Sequence, residues 1–432
     1  MKINIPEVHL PRVVIVGCGF GGLELAKDLH KANVQVVLID KNNYHTFQPL
    51  LYQVSTSGLE ADSIVYPIRK IFKGQKNFHF RFGEVTKINP EQKNIETTIG
   101  ICNYDFLVIA TGTTTNFFGI EGLEEKSMPM KTVVEALNLR SLILQNFERA
   151  LLVTTTEERD ALMNFVVVGG GPTGVELTGA LSELKRHVLP NDYPELDFRK
   201  MRVILIESGD RLLSMMSETN RAKAVRYLQE LGAEVWLNVK VIKYDGHMIT
   251  TASGKNITAA NLIWAAGVKG QIIDGLATDV VTPTKRLVVD EINRVKGSDS
   301  IFAIGDMSYM ITEKYPRGHP QVAPVAIQQG ALLAKNITRL LAKEETKPFD
   351  YFDKGTMATV GRNRALVEVG KISFGGFFGW VTWLLVHLMS IVGFRNRVVT
   401  LFNWLWNYVS YDRNIRLIIR PFHRPDEKLP GA

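Results

Sequence analysis

The sequence predicts an α/β protein with two domains built on doubly wound parallel sheets, followed by a C-terminal module of different composition. Three observations lead to this fold class. A strand–glycine loop–helix–strand pattern runs over residues 12–40, the same pattern returns over residues 164–207, and the composition changes sharply from Phe374 onward. Strands that alternate with helices in this way favour parallel sheets.

The elements of the two repeated units can be placed along the chain. In the first unit we expect strands at 12–16 and 34–40 and a helix at about 22–31. In the second unit we expect strands at 164–168 and 202–207 and a helix that begins at Gly174. Other predicted elements are strands at 105–110, 262–265 and 301–304, a mostly helical stretch at 125–160, and a helix at 323–341.

Composition limits the class of protein. The 432 residues exceed one ordinary core, and 45% hydrophobic with 22% charged residues describes a globular chain. The net charge of +7 suits an acidic partner such as a nucleotide or an anionic membrane surface, and we find no nucleic-acid-binding motif. The two cysteines, Cys18 and Cys102, are far apart, so we expect neither a dithiol centre nor a metal site. The N-terminus lacks the apolar segment of a signal peptide, so we expect a cytoplasmic protein.

The first glycine loop matches the GxGxxG pattern at Gly17, Gly19 and Gly22. The first glycine permits the tight turn, the second lets the backbone approach a pyrophosphate, and the third allows close helix–strand packing. The start of the following helix supplies free N–H groups for the phosphates. Asp40 ends the next strand, where a carboxylate can bind ribose hydroxyls. The loop therefore predicts a dinucleotide site.

The second glycine loop has Gly169, Gly171 and Gly174 in the same register, and Glu207 ends the matching strand. Ser208 and Gly209 follow Glu207 and place no cation beside it to neutralise a 2′-phosphate, so NADH is favoured over NADPH. Arg211 lies close enough to leave that preference open.

Two dinucleotide sites in one chain indicate one for FAD and one for NAD(P)H. The N-terminal loop is the predicted FAD site because Ile304-Gly305-Asp306 is similar to the late flavoprotein motif whose acid bonds the ribityl chain. The sequence thus predicts two Rossmann-like dinucleotide-binding domains. We expect residues 1–120 and 285–345 to bind FAD, an inserted domain at 121–284 to bind NADH, and residues 346–432 to form a C-terminal module that anchors the protein to a membrane.

With these motifs assembled, the chain resembles the two-dinucleotide-domain flavoproteins and, among them, the type II NADH dehydrogenases. The resemblance rests on both loops and on four further stretches: Tyr44–Val54, Ala110-Thr111-Gly112, Ala266-Gly267 and Gly174–Leu177. Residues Ala323–Gly330 resemble the quinone signature AQxAxQxG of that family, with Pro324 in place of its first Gln. This departure puts one hydrogen bond to quinone in doubt, although proline suits the first turn of a helix.

The resemblance implies a set of site residues. For FAD these are Gly17, Gly19, Phe20, Gly21, Gly22, Asp40, Lys41, Pro49, Thr111, Gly112, Asp306 and Ala326. For NADH they are Gly169, Gly171, Pro172, Thr173, Gly174, Glu176, Glu207, Ala266 and Gly267. Ile327 and Gln328 would contact quinone, and Glu176 and Gln328 would be catalytic, with Glu176 relaying protons.

The function implied is a non-proton-pumping NADH:quinone oxidoreductase, in which a hydride passes from NADH to FAD and two electrons then pass to a membrane quinone. Two other interpretations stay open: an NADH oxidoreductase with a soluble acceptor such as ferredoxin or oxygen, and a flavin-bound redox sensor. Sulfide:quinone oxidoreductases and disulfide reductases need reactive cysteines, whereas Cys18 lies inside the loop and Cys102 has no partner nearby in sequence. Both are disfavoured.

The C-terminal module predicts contact with a lipid bilayer surface. Residues 372–394 carry no Asp, Glu, Lys or Arg, and they could cross a membrane, lie in its interface or belong to a core. The apolar, aromatic stretch 398–411 follows, flanked by arginines at 395, 397, 413, 416 and 420, which is typical of an interfacial helix. By resemblance we expect a homodimer that is peripheral to the cytoplasmic face of the inner membrane.

Overall fold

A computed structural model describes residues 1–411 and 415–424 of the chain. Arg413 and residues 425–432, which belong to the predicted C-terminal module, lie outside the described residues.

The helices and strands follow one another in three stretches of the chain. The first contains β1 (Arg12–Val16), α1 (Phe20–Asp28), β2 (Gln35–Asp40), β3 (Tyr44–Thr46), α2 (Leu51–Ser55), α3 (Ala61–Ile64), β4 (Val65–Pro67), α4 (Ile68–Ile71), β5 (Phe78–Phe82), β6 (Val85–Asn89), β7 (Asn94–Thr97), β8 (Gly100–Asn103), β9 (Phe106–Ile109) and β10 (Thr113–Thr115). The second contains α5 (Leu123–Lys126), β11 (Met128–Pro129), α6 (Val133–Leu152), α7 (Thr156–Met163), β12 (Phe165–Val168), α8 (Pro172–Glu183), α9 (Leu189–Asp192), β13 (Val203–Ile206), α10 (Glu218–Glu230), β14 (Glu234–Trp236), β15 (Val241–Tyr244), β16 (Met248–Thr251), β17 (Asn256–Thr258) and β18 (Asn261–Trp264). The third contains β19 (Val268–Gly270), β20 (Leu287–Val288), β21 (Ile301–Ala303), β22 (Ser308–Tyr309), α11 (Ala323–Ala342), β23 (Thr356–Thr359), β24 (Ala365–Val369), β25 (Ile372–Gly375), α12 (Gly376–Ser390) and α13 (Phe394–Ser410).

The chain forms two compact units. Unit 1 comprises residues 1–46, 66–114 and 268–353. Unit 2 comprises residues 47–65, 115–267 and the described residues from Lys354 onward.

A five-stranded sheet forms the centre of unit 1, with strand order β21-β9-β1-β2-β5. Its strands are parallel, and Val14 pairs with Val37 of β2 and Leu107 of β9. The inner strand β1, with the sequence RVVIV, is almost wholly buried, as expected when helices cover both faces of a parallel sheet. Val14 and Val16 of this strand join the buried cluster that includes Ile273 and Val325.

A second five-stranded parallel sheet forms the centre of unit 2, in the order β11-β18-β12-β13-β14. Strand β12, with the sequence FVVV, lies between β18 and β13, and all four of its residues are buried. A capping box at Thr132 and Glu135 starts the long helix α6, because both side chains satisfy free backbone N–H groups. Two parallel-sheet domains, each with a glycine loop after a central strand, confirm the predicted α/β fold class.

The C-terminal segment belongs to unit 2 and does not stand apart from it. Asn396 of α13 is buried, and its side-chain amide donates to the carbonyl oxygens of Asp62 (2.9 Å), Ser63 (3.2 Å) and Val65 (2.8 Å). The Asn407 amide donates to the carbonyl of Gly58 at 3.0 Å. These bonds explain why residues 47–65, which we placed in the FAD-binding domain, group with the described C-terminal residues instead.

The uncharged stretch 372–394 is divided between strand β25 and the 15-residue helix α12. One side of α12 is core: Trp383 is 1% exposed. The other side is open, with Phe378 at 77% and Met389 at 63% exposure. Within residues 1–411 and 415–424, no helix has the length and apolar character needed to cross a membrane. The structure therefore gives this stretch both a buried side and an exposed apolar side.

Candidate functional site

The first glycine loop lies between β1 and α1 in unit 1. Gly17 has a φ of +100°, and a Cβ there would lie 2.5 Å from the carbonyl oxygen of Ala110. A Cβ at Gly22 would collide with the Gly17 carbonyl oxygen, so both positions need glycine for chain packing. A Cβ at Gly19 would meet no described atom within 4 Å. Glycine at 19 thus keeps a space open before the N–H groups of α1, as a diphosphate requires.

The second loop repeats this geometry in unit 2. Gly169 has a φ of +119° and packs on Ala265, and a Cβ at Gly174 would collide with the Gly169 carbonyl oxygen. A Cβ at Gly171 again meets no described atom within 4 Å. Pro172 and Thr173, which start α8, are exposed beside it. Both loops therefore have close packing at the first and third glycines and an open position at the second.

Each predicted acid holds its own glycine loop. Asp40 accepts hydrogen bonds from the backbone N–H groups of Cys18 (2.6 Å) and Asn42 (2.7 Å). Burial raises the pKa of Asp40, although these hydrogen bonds act in the opposite direction. Glu207 accepts from the N–H groups of Gly170 and Gly209, both at 2.6 Å. The carboxylates retain further lone pairs for ribose hydroxyls.

Arg211, which left the preference for NADH over NADPH open, is paired with the adjacent Asp210. Its guanidinium forms two hydrogen bonds with Asp210, both of 2.5 Å. Glu207 also accepts from the Ser208 hydroxyl at 3.1 Å. The surroundings of Glu207 therefore favour ribose hydroxyls over a 2′-phosphate.

The remaining predicted FAD residues are mostly gathered in unit 1. Asp306 accepts from the Thr113 hydroxyl at 3.1 Å, and Gly305 with its φ of +67° packs against Ala326 at the start of α11. The Thr111 hydroxyl donates to the Gln271 carbonyl at 2.9 Å. The other members have these positions: Phe20 and Gly21 begin α1, Lys41 is exposed after β2, Gly112 has a φ of +67°, and Pro49 belongs to unit 2.

Two residues that the sequence analysis did not single out form hydrogen bonds with the backbone near the predicted FAD residues. Gln329 is wholly buried, and its side-chain oxygen accepts from the Gly305 N–H at 2.7 Å and the Ser308 hydroxyl at 3.1 Å. His45 is hydrogen-bonded to the Cys18 carbonyl at 2.8 Å, and burial lowers its pKa to about 4. The sequence could have indicated Gln329, because a glutamine within an apolar helical stretch suggests a buried side chain with hydrogen-bond partners.

Gln328 and Ile327 lie on α11 in unit 1, and both are half-buried. The Gln328 side chain already bonds the backbone of Phe352: its amide donates to the carbonyl at 2.9 Å, and its oxygen accepts from the N–H at 3.0 Å. This amide therefore fixes the segment before β23. A contact between quinone and Gln328 or Ile327 stays a prediction.

Among the predicted NADH residues, Ala266 and Gly267 follow β18 in unit 2. Gly267 has a φ of +74°, and a Cβ there would lie 2.5 Å from the ring of Phe118. Glu176 follows the second loop on α8 and is only 7% exposed. It accepts a long hydrogen bond, 3.4 Å, from the N–H of Thr359. Burial raises the pKa of Glu176 to about 8, so its carboxyl is largely protonated at neutral pH.

Glu176 lines a cavity of about 100 Å³ inside unit 2. The lining comes from α2 and the turn after it, α8, the β23–β24 turn, α12 and α13: Tyr52, Gln53, Thr56, Gly58, Glu176, Ala180, Glu183, Thr359, Gly361, Arg362, Trp380, Trp383, Leu384, Trp404, Asn407 and Tyr408. Aromatic side chains dominate its apolar part, and the Trp404 indole N–H donates to the Gln53 side chain at 2.8 Å. This is a concave, mainly apolar site with a few convergent polar groups, the usual character of a ligand pocket.

The cysteines contribute no reactive thiol. Cys18 and Cys102 are both buried and free. Burial raises the pKa of each thiol, so the nucleophilic thiolate is disfavoured. The structure therefore agrees with the sequence in disfavouring cysteine-based relatives.

Two family models match the chain. Residues 11–330 match pyridine nucleotide-disulphide oxidoreductase, and residues 354–410 match the NDH2 C-terminal domain. Similar solved structures include NDH2 from Plasmodium falciparum in complex with NADH, with a TM-score of 0.86 at 22% identity over 94% of this chain and 100% of that one. The sulfide:quinone oxidoreductase from Aquifex aeolicus has a TM-score of 0.71 at 18% identity, covering 93% and 96%. At these identities the solved structures support the fold alone.

Curated relatives are closer in sequence. The type II NADH:quinone oxidoreductase NdhA of Mycobacterium tuberculosis is 38% identical over 91% of this chain and 86% of its own length. The type II NADH:quinone oxidoreductase of Staphylococcus aureus is 32% identical over 81% of this chain and 87% of its own. With both nucleotide loops and the matched C-terminal domain, the chain belongs to the type II NADH:quinone oxidoreductase family.

Proposed function

We propose that the protein oxidises NADH and reduces a membrane quinone through bound FAD. The observation that carries this proposal is family membership over most of the chain, at 38% identity to NdhA. When bound, FAD accepts a hydride from NADH and passes two electrons to the acceptor. The protein's own residues bind and orient the reactants and handle protons.

The FAD site assigned to unit 1 fits the cofactor on local geometry. The open position at Gly19 and the free N–H groups of α1 suit the diphosphate. The half-buried carboxylate of Asp40 suits a ribose, and Asp306 suits a hydroxylated chain. Gln329 keeps the turn of Gly305 and Asp306 in place through its hydrogen bond to Gly305.

NADH binding is assigned to the second loop on the same grounds. Gly171 keeps the approach to α8 open, and Glu207 supplies the ribose acceptor. The pairing of Arg211 with Asp210 favours NADH as the nucleotide.

The Glu176 cavity is the proposed site of quinone chemistry within unit 2. Reduction of quinone by NADH consumes one proton: NADH, H⁺ and quinone give NAD⁺ and quinol. A carboxyl with a pKa of about 8 is protonated at neutral pH and can donate that proton to the quinone oxygen. The indole of Trp383 and the phenol ring of Tyr52 supply flat apolar walls for a quinone ring.

Membrane association is assigned to the exposed sides of α12 and α13. On α13, Phe402, Trp406 and Val409 are 67%, 60% and 82% exposed, and an exposed apolar face of this kind marks a lipid or protein contact. We assign it to the lipid surface, on the cytoplasmic side, with a homodimer as the assembly. Of the flanking arginines, Arg416 pairs with Asp192 at 2.5 Å.

Point substitutions test this assignment better than truncation, because the hydrogen bonds of Asn396 and Asn407 make α13 part of the fold of unit 2. Replacing Phe402, Trp406 and Val409 together by Ser should release the protein from anionic vesicles, while Phe82→Ser, at a 61% exposed position in unit 1, should not. Equal retention of both variants would contradict the membrane assignment.

The function itself is tested on the purified protein. A flavin absorbance spectrum should be present, NADH should bleach it, and a short-chain quinone should restore it over repeated turnovers. Rapid reduction of ferricyanide or oxygen without quinone turnover would instead support a soluble acceptor.

A further inference from the structure

Two carboxyl groups of α8 line the same cavity. Glu176, Ala180 and Glu183 are spaced four and three residues apart, which places them on one helical face. The central residue is an alanine, so its side chain leaves the space between the two carboxyl groups unfilled. Glu176 is buried, whereas Glu183, at the last turn of α8, is half-buried.

Glu183 is held at its end of the cavity by the β23–β24 turn. Its Oε1 accepts from the Arg362 N–H at 2.5 Å, and Gly361 (φ +74°) makes this approach possible, because a Cβ there would lie 3.0 Å from the same oxygen. The Arg362 guanidinium donates to the carbonyls of Asn407 (2.6 Å) and Tyr408 (2.9 Å). A charged side chain thus closes the wall between α8 and α13 beside Glu183.

Other titratable groups surround this end of the cavity. His187, one turn beyond Glu183, contacts the Tyr411 ring at 4.6 Å, and Arg362 lies over the same ring at 3.5 Å. From α10, Glu230 forms an ion pair with Arg364 of the β23–β24 turn at 3.1 Å. At the buried end, the indole N–H of Trp383, a residue that is only 1% exposed, is directed at the Glu176 carboxyl. The cavity therefore runs from a charged end to a buried polar end.

We propose that Glu183 is a relay residue that returns a proton to Glu176 after each reduction of quinone. This inference rests on the proposed function, because it concerns the one proton that each turnover consumes. Glu176 gives its proton to the quinone oxygen and becomes a carboxylate. The Glu183 carboxylate then takes up a proton from bulk solvent and passes it toward Glu176, so the proton that each turnover consumes comes from the solvent.

The distance requires water between the two groups. Seven residues of helix separate them by ~10 Å along the axis, too far for direct transfer. Once the quinol has left, the cavity of about 100 Å³ has room for several water molecules, and the two carboxyl groups supply polar partners for them.

The test is Glu183→Gln in the full-length, flavin-loaded protein, with flavin reduction by NADH and re-oxidation by a short-chain quinone followed separately. The amide oxygen can still accept from the Arg362 N–H, so the turn is retained while the proton function is lost. We expect re-oxidation at pH 8.5 to slow about tenfold or more, and at pH 6 to stay within about twofold, because direct protonation of Glu176 is faster in acid. A small weak acid such as imidazolium should restore the rate at high pH.

The matched control is Glu230→Gln, which weakens the same turn from α10 without removing a carboxyl from the cavity. Its pH profile should follow the wild type. Wild-type-like re-oxidation by Glu183→Gln at every pH, or equal slowing at every pH without rescue by weak acid, would overturn the relay. Absence of quinone turnover in the wild type would instead contradict the proposed function. Failure of the relay and failure of the proposed function therefore give different results.

Discussion

The two glycine loops are built alike, but the helices that follow them are used differently. In unit 1, α1 packs closely on α11: a Cβ at Gly330 would lie 2.5 Å from the Gly21 carbonyl oxygen, and one at Gly21 would lie 3.1 Å from the Ala326 carbonyl oxygen. In unit 2, α8 packs on β23 but carries Glu176 and Glu183 along an open cavity. The same kind of glycine loop therefore precedes helix α1, which is closely packed on another helix, and helix α8, which carries ionisable groups.

The largest effect should come from Gly22→Val, which disrupts the close glycine packing that the two loops have in common. Its Cβ would meet the Gly17 carbonyl oxygen, so the loop must open, at a cost of about 3 kcal/mol or more in the free energy of unfolding. We expect apoprotein or insoluble chain by flavin absorbance and thermal denaturation. Gly19→Ala is the control: it has space, so the fold should survive while flavin affinity falls. Equal stability of the two variants would show that the loops are not packed as described.

Glu176→Gln removes one of the ionisable groups that distinguish α8 from α1. Loss of the proton donor should slow flavin re-oxidation by quinone about tenfold to a hundredfold, with reduction by NADH much less affected, as stopped-flow absorbance would report. Slowing confined to the NADH step would move Glu176 to the nicotinamide site and remove the contrast between the helices.

The same variant has a stability signature. The folded-state pKa of Glu176, about 8, lies above the value of an unfolded glutamate, so its protonated form stabilises the fold at low pH. That contribution is lost as pH rises from about 4.5 through 8. Glu176→Gln should therefore gain stability relative to wild type with increasing pH, on the order of 1–3 kcal/mol at pH 9. A difference in Tm independent of pH would mean that the carboxyl is better solvated than its burial indicates.

Glu207→Gln sharpens the comparison of the two acids. The carboxylate accepts from Gly170 and Gly209, and an amide can replace only part of this acceptance. The KM for NADH should rise severalfold with FAD retained. Asp40→Asn should reverse the pattern, weakening flavin retention first. Loss of flavin from the Glu207 variant would overturn the assignment of the two loops.

Gln328→Ala should have the smallest effect. Its side-chain amide bonds both the carbonyl and the N–H of Phe352, so we expect a loss of about 1–2 kcal/mol in the free energy of unfolding. Flavin re-oxidation by quinone should slow about fivefold or less. Slowing greater than that, with an unchanged Tm, would restore Gln328 to a direct role in quinone reduction.

Local sequence was sufficient for the nucleotide-binding architecture. The strand–loop–helix patterns, the glycine registers and the acids at the ends of β2 and β13 predicted two parallel-sheet domains, and the motifs predicted the type II NADH:quinone oxidoreductase family; both predictions are confirmed. They succeeded because each feature is confined to a few neighbouring residues whose backbone requirements are narrow.

Tertiary structure alone decided the cavity and the use of individual polar groups. Gln53, Glu183, Arg362 and Trp404 are far apart in sequence, and only the packing of α2, α8, the β23–β24 turn and α13 brings them to one space. Whether an amide faces a ligand, as predicted for Gln328, or a neighbouring backbone depends on which segment packs against it. Periodicity along one element carries no information on that choice, because the partner backbone groups come from distant segments whose free energy depends on the assembled core.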